Sequence, residues 1–306
     1  MKYITIILCV LIPSYGFSIE EKVVDMAGME NNIITELLKV RQKRTYSDMF
    51  KQNNLVKLEL RKALKYDESF KYSFDSLGQY MGTMVAPDNA FRMFNWNFEK
   101  PDGSHLYFGI IMKYDSRRER YILTELLDKS ASYEDNEPEK KTLDNRKWFG
   151  CLYYKIIPIE KGNKTYYTLL GWDGNNKLSK KKIIEVMAFS GSKIKFGLPI
   201  FKQQDNQWFR RVIFEYSSNA TMSLKEYPLK KDEKMIVFDH LSPSSGPVKG
   251  HREHYFPDGS FDSYRLKDGK WIFALDPDVR LDAVSKSDKT VKDQYYHKPE
   301  EAHPKR

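Results

Sequence analysis

Cysteine is nearly missing from this chain: two occur in 306 residues, at Cys9 and Cys151. Once the N-terminal segment discussed below is removed, one thiol remains. That excludes an internal disulfide and leaves stability to a packed core. Histidine is also scarce, at six residues, and no His-Glu-x-x-His or cysteine cluster occurs, so neither a metal nor a cofactor is expected. Beyond the N-terminus no apolar run approaches the roughly 20 residues of a spanning helix, so no transmembrane segment is expected in the mature chain. Acidic excess is absent as well. The formal net charge is +9 with both signs interleaved along 30% charged residues, which suits a solvated surface as readily as an acidic partner. The basic runs Arg117-Arg118-Glu119-Arg120 and Lys180-Lys181-Lys182 stand in no nucleic-acid motif, and nucleic acid is not an expected partner.

What is present begins with residues 1–18. Lys2 precedes an uncharged apolar run from Tyr3 to Ile12, Pro13 breaks it, and small residues follow at Ser14, Gly16 and Ser18 before Glu20-Glu21-Lys22. This is the pattern of a cleavable signal peptide, cut after Ser18 or after Gly16. A lipid anchor on Cys9 is rejected, because bulky Leu8 precedes it and cleavage there would fall inside the apolar run. The expected destination is periplasmic or extracellular, without a lipid anchor.

Two helices are predicted next, in a segment spanning 19–65. Ile33, Ile34, Leu37 and Leu38 repeat at helical spacing before the basic end Arg41-Gln42-Lys43-Arg44. Val56, Leu60, Ala63 and Leu64 repeat likewise, after an expected cap at Asn53 or Asn54. From 66 to 280 the pattern changes to aromatic and β-branched runs. Asp-Gly pairs at 102–103, 173–174, 258–259 and 268–269 predict hairpin turns between them. The expected fold is mainly β (α+β overall): antiparallel sheet, sandwich or open barrel built of hairpins, preceded by the short helical segment. Residues 130–147 read as a charged connecting loop, and 281–306 as a polar, disordered tail.

Four residues are candidates for ligand binding: Trp172, Asp173 and Asn175 in the run Leu170-Gly171-Trp172-Asp173-Gly174-Asn175, and Tyr255. Trp and Tyr offer stacking faces, and Asp and Asn offer hydrogen bonds to a sugar or peptide. The same run more simply fits a hairpin whose turn uses Asp-Gly and whose Trp caps the core. As a calcium loop it fails, with Leu178 where Gly is needed and Ile184 in place of Glu. Asp239 and His240 are the candidates for acid–base chemistry, with Ser242 nearby, though neighbours on a strand point to opposite faces. Cys151 reads as a buried strand residue. His251-Arg252-Glu253-His254 could share a metal only on a helix, but it leads into an expected strand and lacks the two-residue gap of His-Glu-x-x-His, so no metal is expected there.

The series Trp148-Phe149-Gly150 with Tyr153-Tyr154, then Leu170 to Asn175, then Phe214-Glu215-Tyr216, then Phe238-Asp239-His240-Leu241-Ser242-Pro243 resembles a group of uncharacterised exported proteins of Bacteroidetes-type bacteria. The resemblance spans roughly residues 20–280. It implies a Gram-negative periplasmic or outer-envelope setting, and no catalytic residues, because the group carries no assigned activity. The expectation is therefore an exported, soluble binding or scaffold protein of the cell envelope, with a glycan, a peptide or an envelope protein as partner. The alternative is an envelope or polymer hydrolase using Asp239 and His240. The sequence sets no oligomeric state.

Overall fold

The computed structural model describes residues 24–275 and 277, except 134–136, 192, 230–232 and 245–250. The expected signal segment 1–18 and polar tail 281–306 lie outside the described residues. The fold is mainly β and α+β overall, as its alternating patterns and turn residues predict. Among the described residues no helix is long and apolar enough to cross a membrane.

Helix α1 (Met26–Arg41) starts where Asp25 accepts a hydrogen bond from Gly28 N and ends on Lys39 and Arg41, charges that suit its C-terminal dipole. Helix α2 (Tyr46–Ala63) starts well before the expected Asn53 or Asn54. Its cap is Thr45, whose Oγ1 accepts from Asp48 N at 3.2 Å and donates to the Asp48 carboxylate at 2.8 Å. Asn53 is instead fully buried in mid-helix, where its Oδ1 accepts the indole N–H of Trp96 at 2.7 Å. An amide in that position has a use other than capping, which periodicity cannot reveal.

The strands form three sheets. The first is β1 (Gly82–Val85), β2 (Arg92–Glu99), β3 (His105–Asp115) and β4 (Arg120–Leu127), in sequential antiparallel order. The second runs β5 (Leu143–Asp144), β9 (Lys193–Phe196), β8 (Ser179–Ser190), β7 (Lys164–Asp173) and β6 (Leu152–Lys161), with β12 (Arg211–Ser217) pairing the first half of β8. The third runs β11 (Trp208–Phe209), β10 (Phe201–Lys202), β16 (Lys270–Leu275), β15 (Tyr255–Lys267), β14 (Lys234–Pro243) and β13 (Leu224–Pro228). Only β10 and β16 pair in parallel among these described strands.

Three apolar clusters hold the layers together in order. Phe94, Trp96, Phe98, Phe108, Ile110 and Met112 of the first sheet pack on the helices through Ile33, Leu37, Val56 and Leu60. The opposite face of that sheet, with Phe91, Met93, Tyr107 and Ile111, meets Tyr153, Tyr167, Leu169, Ile183 and Met187 of the second. The far face of the second sheet, with Ile157, Leu170, Ile184 and Val186, meets Phe201, Ile236, Phe238, Tyr264 and Trp271 of the third. Alternate residues along β2 thus serve two different cores, so the strand is buried on both faces, its polar Arg92 and Asn95 included.

The Asp-Gly pairs diverge in use. Asp268 and Gly269 both take positive φ (51° and 69°) and close the two-residue β15–β16 hairpin, as predicted. Gly103 (φ 87°) likewise turns between β2 and β3. Asp258-Gly259 makes no hairpin: Gly259 (φ 89°) lies inside β15, where Asp239 pairs Phe261 but Leu241 pairs Pro257, a bulge in β15. At Asp173-Gly174 the positive φ falls on Asn175 (49°) instead of the glycine. Residues 130–147 are not a bare loop, since 3-10 turns cover Ser130–Tyr133 and Pro138–Lys140 and β5 pairs β9.

Candidate functional site

The expected ligand-binding residues divide between two sheets: Trp172, Asp173 and Asn175 at the end of β7, Tyr255 at the start of β15. Asp173 is buried. Its Oδ1 accepts from Tyr107 Oη at 2.7 Å and from Asn175 N at 2.7 Å, while Gly174 N donates to the same tyrosine oxygen at 2.7 Å. Burial pushes the Asp173 carboxyl above its ordinary range and the Tyr107 phenol well above its own. Asn175 is engaged at both ends, accepting from Lys181 Nζ at 2.8 Å and donating to Ser179 Oγ at 2.7 Å and Glu215 Oε1 at 3.2 Å. Trp172 stands edge-to-face with His105 at 5.8 Å, and burial pushes the phenol of nearby Tyr216 up to about 12. These residues tie the first sheet to the second and to β12. Tyr255 carries the Arg252 guanidinium over its ring at 4.8 Å.

Asp239 and His240 are adjacent on β14 and serve opposite faces. Asp239 Oδ2 accepts from Ser223 N at 2.7 Å. On the other face His240 Nδ1 lies 2.7 Å from Asp262 Oδ2, a carboxylate brought in by β15. Ser242 Oγ donates to Asp258 Oδ2 at 2.6 Å, and with Ser260 it holds the Asp258 carboxyl far below the usual range. The bulge in β15 is what delivers Asp258 and Ser260 to this face.

Several chemistry-bearing groups are buried for structural ends. Cys151 is fully buried and its thiol is pushed well up by burial, which disfavours the nucleophilic thiolate. Glu185 and Arg211 pair with no solvent exposure: Arg211 Nε donates to Glu185 Oε1 at 2.6 Å, and Tyr153 Oη, itself accepting from Trp148 Nε1 at 2.9 Å, donates to Oε2 at 2.5 Å. His251 and His254 sit on a 3-10 turn, not a strand, with rings 6.3 Å apart. Among the described residues no group of three His, Cys, Asp or Glu is placed to hold a metal.

Sequence reasoning missed an open groove of about 330 Å³ between the tips of the β3–β4 and β8–β9 hairpins. Lys113, Arg117 and Lys193 line it with Tyr114, Ser116 and Phe189. Asp115 is the acid on the rim, and it is already spent: Oδ1 accepts from Arg117 N and Arg118 N, and Oδ2 lies 3.5 Å from Arg118 Nη1. Lys113 Nζ sits 5.3 Å above the Phe189 ring, and Tyr114 is 45% exposed, enough to offer its ring to a ligand. The only hint in the sequence was the basic run at 117–120, because the two hairpins lie some seventy residues apart in the chain.

Comparison with known proteins finds no match to this chain among protein-family models, curated proteins or solved structures.

Proposed function

We propose that this chain is an exported binding or scaffold protein of a Gram-negative cell envelope, working in soluble form after loss of residues 1–18. The observation that carries the binding role is the groove at the two hairpin tips. It has a volume within the ~300–1,000 Å³ of small-molecule sites and presents cations and an aromatic ring to solvent. Export rests on the short basic start, the apolar run and the small residues before the cut. Expression of the full chain in a Gram-negative host, followed by fractionation and intact mass, tests it. The expected product lacks residues 1–18 or 1–16 and lies in the periplasm or medium; a full-length cytoplasmic product overturns export.

A hydrolase is the second reading, favoured by the His240–Asp262 contact, since a carboxylate on Nδ1 is what orients a histidine base. In that reading Asp262, not Asp239, is the orienting acid, and Ser242 two residues along β14 is the nucleophile. Its hydroxyl, however, is given to Asp258. Polymer turnover by the wild type that vanishes in His240→Ala supports the hydrolase. Equal turnover in both, or none in either, leaves the binding protein.

A further inference from the structure

We infer that the groove between the β3–β4 and β8–β9 hairpins binds an acidic polysaccharide, one whose sugar rings carry carboxylate or sulfate groups. The inference rests on the binding-protein reading and names its ligand class. Three cations converge there from two hairpins: Lys113 and Arg117 from one, Lys193 from the other. Among the described residues none of the three enters an ion pair, while Asp115, the acid at the rim, is occupied by Arg118 and two backbone N–H groups. The groove therefore carries uncompensated positive charge, and the Arg117 fork matches the two oxygens of a carboxylate or sulfate.

The remaining lining selects a sugar. Tyr114 offers an exposed ring, and Ser116 a hydroxyl for hydrogen bonding. Single-stranded nucleic acid is the competitor, but it is held by successive stacking platforms along a basic track. Here Phe189 is covered by Lys113 Nζ and packed edge-on by Phe91 and Tyr167, and Tyr114 leans on Tyr121, so one free ring is left. One stacking face among three separated cations suits a polymer with a charge on each sugar. The groove is open, so a chain can lie across it without threading.

The test uses the mature full-length chain and measures binding by calorimetry at about 20 mM salt, where charge contacts are least screened. The probes are polygalacturonate for carboxylate, dextran sulfate for sulfate, neutral dextran and oligo-dT. Binding to one or both acidic polysaccharides, but not to dextran, is expected, and the preferred one identifies the anion. The variant Lys113→Gln/Arg117→Gln/Lys193→Gln should weaken binding at least about tenfold with an unchanged melting temperature, because these side chains are at the surface. Removing the same charge from the α1–α2 connection and α2, Lys43→Gln/Arg44→Gln/Lys51→Gln, should leave binding intact. Tyr114→Ala should also weaken it. The inference falls if the groove variant binds like the wild type, if the control variant loses as much, or if oligo-dT binds more tightly than either polysaccharide. Cleavage of a bound polysaccharide would instead remove the non-catalytic reading and leave the ligand class standing.

Discussion

Arg211 and Glu185 form an ion pair closed off from water, and such a pair is far costlier to break than to replace. Arg211→Met strands a buried carboxylate and should cost about 3–5 kcal/mol in chemical denaturation. Adding Glu185→Gln should restore part of that loss, because glutamine still accepts from Tyr153 without a charge; a single variant as stable as wild type would refute this account. His105 is the second residue with a measurable consequence. Asn97 Nδ2 lies 2.9 Å from its Nδ1, Trp172 packs on its ring, and burial lowers its pKa from 6.5 despite the pull of Asp173 and Glu99. A histidine depressed in the folded state takes up its proton more readily when unfolded. Its contribution is thus complete above about 6.5 and is lost as pH falls below that value. The gap in stability between wild type and His105→Asn should therefore narrow from about pH 7 to about pH 5, read by urea titration across that range. A gap independent of pH would remove His105 from the account. Asp173, raised by burial, titrates in both proteins and cancels in the comparison to first order.

Four Asp-Gly pairs look alike as dipeptides and do different work in their elements. Gly269 needs its left-handed backbone for the β15–β16 turn, whereas Gly174 has no positive φ and is small because the His105 ring is there: a Cβ would lie 2.3 Å from Nε2. Asparagine, which tolerates the left-handed region, should therefore be accepted in Gly269→Asn at a cost under about 1 kcal/mol. Gly174→Ala should cost about 1–3 kcal/mol by overpacking. Thermal melts of the two variants check the order, and a reversed order would mean that turn strain outweighs the clash. Turn chemistry was legible because φ preference belongs to the residue itself. The bulge at Asp258-Gly259 was not, because it depends on which residues of β14 lie opposite.

The whole molecule stacks one helical pair and three sheets, and each layer depends on the next for its apolar face. Phe94, Trp96, Phe108, Ile110 and Met112 are covered by α1 and α2, with Lys57 and Arg61 both reaching Glu125 of β4, at 2.6 and 2.7 Å. Deleting residues 24–64 should uncover that face. The truncated chain is expected to bind a hydrophobic dye, to aggregate and to lose its cooperative melt. A monomeric truncated protein with the wild-type melting temperature would show that the helices add nothing to the core. The same stacking places two distant hairpin tips side by side, and the groove exists only at that scale.

The sequence by itself determined the class of fold, the two helices and the tight turns at 102–103 and 268–269, because periodicity and backbone preference act locally. It also established that one cysteine remains after residue 18. Tertiary structure alone decided which polar groups are spoken for. Trp172, Asp173 and Asn175 looked available in the sequence, but Asp173 and Asn175 are bound into a network joining β3, β7, β8 and β12, and Trp172 packs on His105. Asp239 stood beside His240 in the chain, yet the carboxylate that reaches His240 is Asp262. Lys113, Arg117 and Lys193 attracted no notice as a set and meet at one groove. The physical reason is common to all three: hydrogen bonds and charge pairs act over a few ångströms in space, and sheet packing sets those distances independently of separation along the chain.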